Sequence, residues 1–552
     1  MIPAPLAAAC PQVRPGTEAD AVGGVRPQYV AEPASTGEAG AVLRAAAGLG
    51  LAVVPRGGGT RLDWGLPPRQ CDLVVDTRRL DQVLEHAAGD LVARVQAGVP
   101  LERLARILAT AGQRLAVDPP AARAAAAPAA PRDSAAAPGN SAATPASSAA
   151  TPASSRGAPA SNVAALAARA RDDAAAAEPP GTVGGLIATG VAGPLRLRFG
   201  SPRDLLIGIT LVRADGTVAR AGGKVVKNVA GYDIGKLLAG SYGTLGLITE
   251  ATFRLHPRPP AAAWISVTCP PGAAPQAASA LLAAASSPLA PVAAELDWPG
   301  REAPVTVAVA LEGDPDGVAE RAALMHDLLA SAARRAPGND RGTAAGDGRS
   351  TTGETPEDSR TTAEGTPDSG RSAASSDALR AGVPAPRAAG PGATIAGLLP
   401  PPRGAAAPDV STEAPSWWGQ GPAAASEGTV LRVAFWASQL AAVLTVIRAA
   451  AADAGLDPAI GGSAAAGVLH AALPAAAPPD AVARFVTGLR AALTAGAGLP
   501  GRASVVVLTA PPPVRGAVDM WGPVPSEQLM HAVKDRFDPE HRMSPGRFAG
   551  GI

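Results

Sequence analysis

The stretch 181–259 constrains this chain more than any other part of it. It reads GTVGGLIATGVAGPLRLRFGSPRDLLIGITLVRADGTVARAGGKVVKNVAGYDIGKLLAGSYGTLGLITEATFRLHPRP, with glycines set between short β-branched runs. Glycine has no Cβ, so the backbone here must turn tightly or approach something closely at several points where no side chain would fit. Asp215-Gly216 sits between two strand-like runs and predicts a hairpin turn. Arg196, Arg198 and Arg203 form a local basic cluster suited either to an oxyanion or to a solvated charged edge.

A second glycine cluster lies upstream. Residues 28–50 predict an extended YVAEP, then a helix opened by Ser35, Thr36 and Glu38 and ended at Gly48 and Gly50. LAVVP (51–55) predicts a strand that feeds directly into Arg56, Gly57, Gly58, Gly59 and Thr60. Successive amides without Cβ obstruction can form an anion-binding nest, although a plain turn would use the same glycines. From residue 71 to 120 the pattern alternates strand, turn, strand and helix. Leu101, Leu104, Ile107 and Leu108 fall on one helical face as core residues.

These motifs carry a resemblance. GTVGG (181–185) and GSYGTLGLIT (240–249) resemble the two flavin-contacting loops of the FAD-binding fold shared by vanillyl-alcohol oxidase and the FAD-linked 2-hydroxy acid oxidases. RGGGT is similar to the pyrophosphate loop of that family, and KNVAGYD (227–233) resembles the FAD-binding E subunit of glycolate oxidase. The C-terminal FDP followed by Ser544-Pro545-Gly546-Arg547 resembles the family's return to the flavin domain, with serine where asparagine is more usual. The resemblance implies cofactor contacts from Arg56, Gly57, Gly58, Gly59, Thr60, Asp118, Thr182, Gly184, Gly185, Asn228, Gly243, Thr244, Gly246 and Ile248. Thr60 stands where flavoproteins of the berberine-bridge type carry a covalently tethered histidine, so the expected FAD is non-covalent.

The implied fold is α+β: a PCMH-type, two-part FAD-binding domain at 25–260, a small α+β, ferredoxin-like cap at 261–514, and a segment at 515–552 that returns to the FAD domain. Residues 261–330 support the cap with an approximate β-α-β-β-α order. Two stretches are unfit for a core. Residues 121–180 are Ala, Pro and Ser, with AATPASS occurring twice in succession, and 336–425 mix Gly, Ser, Thr, Pro and charge. Both are expected to be disordered insertions. Closure entropy grows by only about 0.6 kcal/mol per doubling of loop length, so such insertions need not abolish cofactor binding. Trp417 and Trp418, near the end of the second, suit either a partner contact or packing at the cap's edge.

Composition narrows the function. Net charge is +1, from 48 basic and 47 acidic residues, which favours neither nucleic acid nor an anionic membrane surface. Cys10, Cys71 and Cys269 are widely separated and the six histidines are scattered, so no metal site is expected and each histidine reads as surface or core. The N-terminus lacks the features of a signal peptide and no membrane-spanning run is evident, so a cytoplasmic location is expected, possible membrane association coming through partners.

The family resemblance implies oxidation of a small 2-hydroxy acid such as glycolate. It implies as partners a second FAD-linked oxidase subunit and an iron–sulfur subunit. The alternatives are a self-sufficient FAD-linked oxidoreductase acting on D-lactate or another hydroxy acid, and a non-catalytic assembly subunit. No catalytic residue is assigned from the sequence.

Overall fold

The computed structural model describes residues 1–119, 181–223, 233–334, 408–422, 428–494 and 503–552. The expected insertion 121–180, most of 336–425, and Asn228 lie outside the described residues. Met1–Pro337 and Gly404–Ile552 make one compact unit.

Short β-branched runs build the first sheet. Tyr29–Ala31, Leu73–Asp76 and Val53–Arg56 lie side by side in parallel, with Val13–Pro15 antiparallel at the edge. The helix Thr36–Gly48 connects the first of these to the last. Its N-cap Ser35 accepts a hydrogen bond from the Glu38 amide, and Val42, Leu43 and Ala46 are buried. Ordered structure therefore precedes residue 25, including the helix Ala4–Ala9.

The second sheet is antiparallel, in the order Val83–Ala87, Val92–Gln96, Leu247–Arg254, Leu206–Val212, Val218–Gly222. The hairpin expected at Asp215-Gly216 joins the last two strands, and Gly216 has φ +81°. The helix Leu101–Ala109 closes its core with Leu104 and Leu108. The strand Val83–Ala87 is not evident in the sequence because its residues stay half-exposed and lack a strong apolar alternation.

The cap is larger than a single ferredoxin-like unit. Ala261–Cys269, Ala274–Ala285, Ala293–Trp298, Val305–Gly313 and Pro315–Arg334 form one β-α-β-β-α unit. Thr429–Ala434, Leu440–Ala454, Ala459–Gly462, Val468–Leu473 and Pro479–Thr494 repeat that order, and Ser504–Thr509 closes the edge. The units meet antiparallel where Ala293–Trp298 pairs with Ala459–Gly462, making one eight-stranded sheet. All four helices pack on one face: Met325, Leu329, Leu444, Ile447, Phe485 and Leu489 join Ile265, Val307, Leu431, Val433 and Leu469 in a single core. The stretch Ala437–Ala454 is long and apolar enough to cross a membrane by length and composition, but Val443, Leu444 and Ile447 are spent on this core.

The second insertion ends earlier than expected. Asp409–Ser411 adds a strand to the cap sheet, Ser411 pairing with Trp264 and Asp409 with Ser266, and Trp418 packs edge-on against Trp264 with centroids 6.5 Å apart. A polar, glycine-rich composition concealed the strand because backbone hydrogen bonding to an open sheet edge makes small demands on side chains.

Candidate functional site

Four segments converge beside the first sheet. Where the strand Val53–Arg56 ends, Gly57 lies so close to Thr182 that a Cβ built on it would stand 2.2 Å from Thr182 Oγ1. Thr182 is buried and caps the helix Val183–Thr189, accepting from the Gly185 amide at 3.3 Å. The GTVGG motif is therefore a helix start rather than an open loop. Gly184 is required for packing: its amide donates to Ala97 O at 2.7 Å, and a Cβ would meet the Ala97 Cβ at 2.9 Å.

Gly58 is half-buried, Gly59 and Thr60 are exposed, and Gly59 has φ +78°. Among the described residues, the amides of Gly57, Gly58, Gly59 and Thr60 have no acceptor. Unpaired amides on a glycine turn are the donor set of an anion-binding nest. The Arg56 guanidinium is held by Asp20 at 3.1 Å and Asp76 at 2.9 Å.

The GSYGTLG turn forms the third wall. Tyr242 adopts φ +54° and donates its amide to Ala188 O at 2.9 Å, and Gly243, with φ +73°, lies against Pro55. Thr244 is buried and its hydroxyl donates to Ser241 O at 2.7 Å. Gly246 packs on the Val212 carbonyl, and Ile248 lies within the strand Leu247–Arg254, its side chain in the hydrophobic core. Turn closure and strand alternation commit the side chains of Thr244 and Ile248 to the interior.

The C-terminal segment supplies the fourth wall. Val53 donates to Arg542 O and Ser544 donates to Val53 O, each at 2.8 Å, so the chain end runs parallel to the strand that leads into RGGGT. Ser544 is buried with φ +45°, and its hydroxyl has no partner among the described residues. Arg547 is buried too. Its Nη2 donates to Leu62 O at 2.8 Å and Trp64 O at 2.9 Å, while Nη1 is uncommitted. Lys534, wholly buried in the helix Glu527–Phe537, ties this segment to the GSYGTLG turn by donating to Thr244 O, Asp538 Oδ2 and Met543 O at 2.7 to 2.8 Å. Sequence reasoning missed Lys534 because its partners are 290 residues away in the first case and backbone groups in two of three.

The polar face of the cap sheet adds a crevice. Arg432 and His470 stand directly opposite each other on adjacent strands. Leu431, Val433 and Leu469 point to the helices, so these two polar side chains take the other face. Glu295 is buried, its Oε1 2.5 Å from Ser463 Oγ, which also reaches Gly193 O at 3.3 Å. Asp118 accepts from the Leu195 amide at 3.0 Å.

Burial and the nearby Arg432 and Arg196 guanidiniums push the His470 imidazole down to about 4. Burial pushes Glu295 up to about 8, against the hydrogen bond from Ser463, and Asp118 up to about 7. Burial raises the Tyr242 phenol, opposed by Arg432, Arg547 and Arg61. At neutral pH the crevice thus holds a neutral histidine and a largely neutral Glu295 beside guanidinium cations.

None of Arg432, His470 and Glu295 was singled out in the sequence, and His470, buried in the cap, agrees with the reading of the histidines as surface or core. Their signal was a charged or titratable residue inside a mostly apolar strand, in TVLRVA, VLHAAL and AAELDW. Arg196 joins them from the short helix Arg196–Phe199, whereas His531 and His541 remain on the surface beside Glu527 and Asp535.

Residues 27–145 and 156–222 match the family described as FAD binding domain. The glycolate oxidase subunit GlcD of Bacillus subtilis is 29% identical over 233 residues, 42% of this chain and 38% of that protein. Subunit GlcE of Escherichia coli is 47% identical over 87 residues, 15% of this chain and 25% of that protein. The chain thus spans less than half the length of these curated relatives. A solved alkyldihydroxyacetonephosphate synthase superposes with TM-score 0.52 at 15% identity, covering 94% of this chain and 76% of that one, a likeness of fold.

The amides of residues 57–60, unpaired among the described residues, and the uncommitted Arg547 N–H fit a pyrophosphate-bearing cofactor. With these matches in hand, residues 27–145 and 156–222 are an FAD-binding domain similar to that of the FAD-linked oxidases, and FAD is its cofactor.

Proposed function

We propose that this chain is the FAD-binding subunit of a glycolate oxidase-like complex and oxidises a small 2-hydroxy acid, glycolate or D-lactate, at C2. The observation that carries this reading is the cross-strand pairing of Arg432 with His470, with Arg196 approaching from the FAD-binding side. The amides of residues 57–60 would hold the pyrophosphate, with Gly184 and Gly243 letting the helix start and the GSYGTLG turn pack closely beside that loop.

When bound, the flavin supplies the two-electron acceptor for the hydrogen leaving C2. Arg432 and Arg196 hold the substrate carboxylate through paired N–H donors. His470, neutral at pH 7, accepts the hydroxyl proton; the O–H bonding pair becomes the second C–O bond as the C2–H bond breaks, leaving a 2-oxo acid. Glu295, kept protonated by burial, adds no negative charge to compete with that carboxylate.

A second FAD-linked oxidase subunit and an iron–sulfur subunit complete the proposal. Cys10, Cys71 and Cys269 are buried in three separate clusters of this chain, and a cubane cluster needs about four thiolates. A cytoplasmic site of action belongs to the same reading.

The test is the visible spectrum of the purified full chain, before and after anaerobic glycolate or D-lactate. Flavin bands that bleach with one acid, and bleach roughly 100-fold or more slowly in His470→Ala, are expected. Bands that no acid bleaches, even with the partner chains present, would overturn the redox assignment.

A further inference from the structure

The loop that leads into Arg196 is held from two sides. On the FAD-binding side, Gly193 lies so close to Asp118 that a Cβ built on it would stand 1.8 Å from Asp118 O, and the Leu195 amide donates to the Asp118 carboxyl group. On the cap side, Ser463 Oγ stands 3.3 Å from Gly193 O and 2.5 Å from Glu295 Oε1, and Ser463 and Glu295 are both buried. Gly193 O also accepts from the Arg196 amide at 3.1 Å, so the carbonyl that Ser463 reaches is the one that starts the short helix Arg196–Phe199. A serine hydroxyl carries one proton and serves one of two acceptors at a time. Only a protonated Glu295 completes both contacts: its O–H donates to Ser463 Oγ, and the Ser463 O–H donates to Gly193 O. An ionised Glu295 draws the serine proton to itself, because the bond to a carboxylate is the stronger, and Gly193 O loses its donor from the cap.

We propose that Glu295 is a positioning residue that, in its protonated form, acts through Ser463 and Gly193 O to hold Arg196 in place for the substrate carboxylate. The inference rests on the 2-hydroxy acid reading above and deepens it, by tying carboxylate binding to one proton in the cap. Burial holds the Glu295 carboxyl up at about 8, so the chain of contacts is complete at neutral pH and is lost as pH rises through that value. The charged and titratable groups around it are Arg196 and Asp118 on the FAD-binding side, Asp118 itself lying near Arg114 and Glu312. Within the cap they are Asp297, two residues along the same strand, and His470 across the sheet, with Arg432 opposite it.

Glu295→Gln mimics the protonated acid, because its Nε2 donates to Ser463 Oγ at every pH and leaves the serine proton for Gly193 O. Ser463→Ala breaks the chain at every pH. Pulsed hydrogen exchange of the peptide 191–199 in the flavin-loaded full chain reads the loop without turnover, and comparing proteins at one pH cancels the intrinsic exchange rate. At about pH 9 the wild type is expected to exchange roughly 3- to 10-fold faster than Glu295→Gln, the two matching at about pH 6.5, with Ser463→Ala fast at both. Oxalate, which has no hydroxyl to oxidise, should follow in calorimetric titration: its affinity falls by a similar factor from about pH 6.5 to about pH 9 in the wild type, stays level in Glu295→Gln, and is low throughout in Ser463→Ala.

Exchange in the wild type and Glu295→Gln within about twofold at about pH 9 would overturn the inference. So would Ser463→Ala binding oxalate as tightly as the wild type below the Glu295 value and losing it above, which is what the bare Glu295 charge beside Arg196 would produce with no relay through serine. If exchange shifts as expected while no protein binds oxalate or oxidises an acid, the positioning of the loop stands and the 2-hydroxy acid reading fails. If acids are oxidised with a pH profile that Glu295→Gln leaves unaltered, the positioning inference alone fails.

Discussion

Replacing Lys534 with methionine keeps the length of the side chain and strips its charge from an interior site. Its ammonium donates at 2.8 Å to Thr244 O, 2.7 Å to Asp538 Oδ2 and 2.8 Å to Met543 O, and both Lys534 and Asp538 are fully buried. The variant leaves the Asp538 carboxylate with only the Met543 amide at 2.7 Å, and two carbonyls lose a donor. Removing one partner of a buried pair costs about 3–5 kcal/mol, because the remaining charge is left uncompensated. The double variant Lys534→Met, Asp538→Leu removes that charge as well and should recover about 1–3 kcal/mol relative to the sum of the singles. Urea unfolding of the four proteins measures the cycle. Gel filtration should also show weaker flavin retention in Lys534→Met, since the lost bond to Thr244 O frees the GSYGTLG turn. A cost below about 1 kcal/mol, or strict additivity in the double variant, would refute the reasoning.

Gly57→Val places a side chain where even a Cβ stands 2.2 Å from Thr182 Oγ1, so the helix cap, worth about 1 kcal/mol, and the nest are both disturbed; the purified variant should be colourless, and normal flavin content would remove this loop from the site. Arg432→Lys replaces a planar donor pair with a point charge and should raise KM for the acid by roughly 10- to 150-fold, equivalent to about 1.5–3 kcal/mol, with a smaller fall in kcat. Glu295 has its carboxyl raised from 4.5 to about 8, so between those values the folded state holds more protons than the unfolded chain and stability declines as pH rises. Glu295→Gln should therefore flatten thermal stability between pH 4.5 and 8, removing a slope of at most about 1.4 kcal/mol per pH unit, and an unchanged profile would contradict it.

The local elements were legible because they depend on local rules. Ser35 with Glu38 marks a helix start, Asp215-Gly216 marks a hairpin, and Leu104 with Leu108 marks a buried face, each through contacts within a few residues of chain. The glycine motifs were legible for a related reason, since only a residue without Cβ survives where Gly57 meets Thr182 or Gly184 meets Ala97. In the structure Gly184 packs on Ala97, Arg56 pairs with Asp20, and the Ile248 side chain lies in the core.

Arg432, His470 and Glu295 are charged or titratable residues in mostly apolar strands, and strand alternation alone leaves open which sheet face looks onto the FAD-binding side. That choice depends on where the cap helices pack. Likewise the segment 415–422 reads as more of a polar insertion until Trp418 is seen against Trp264. The sequence by itself determined the cofactor fold, through glycine sterics and periodicity that act over short separations. Only the tertiary structure decided the polar crevice, because its members come together from residues as distant as Asp118, Glu295 and His470, whose proximity and shifted protonation arise from burial at a shared interface.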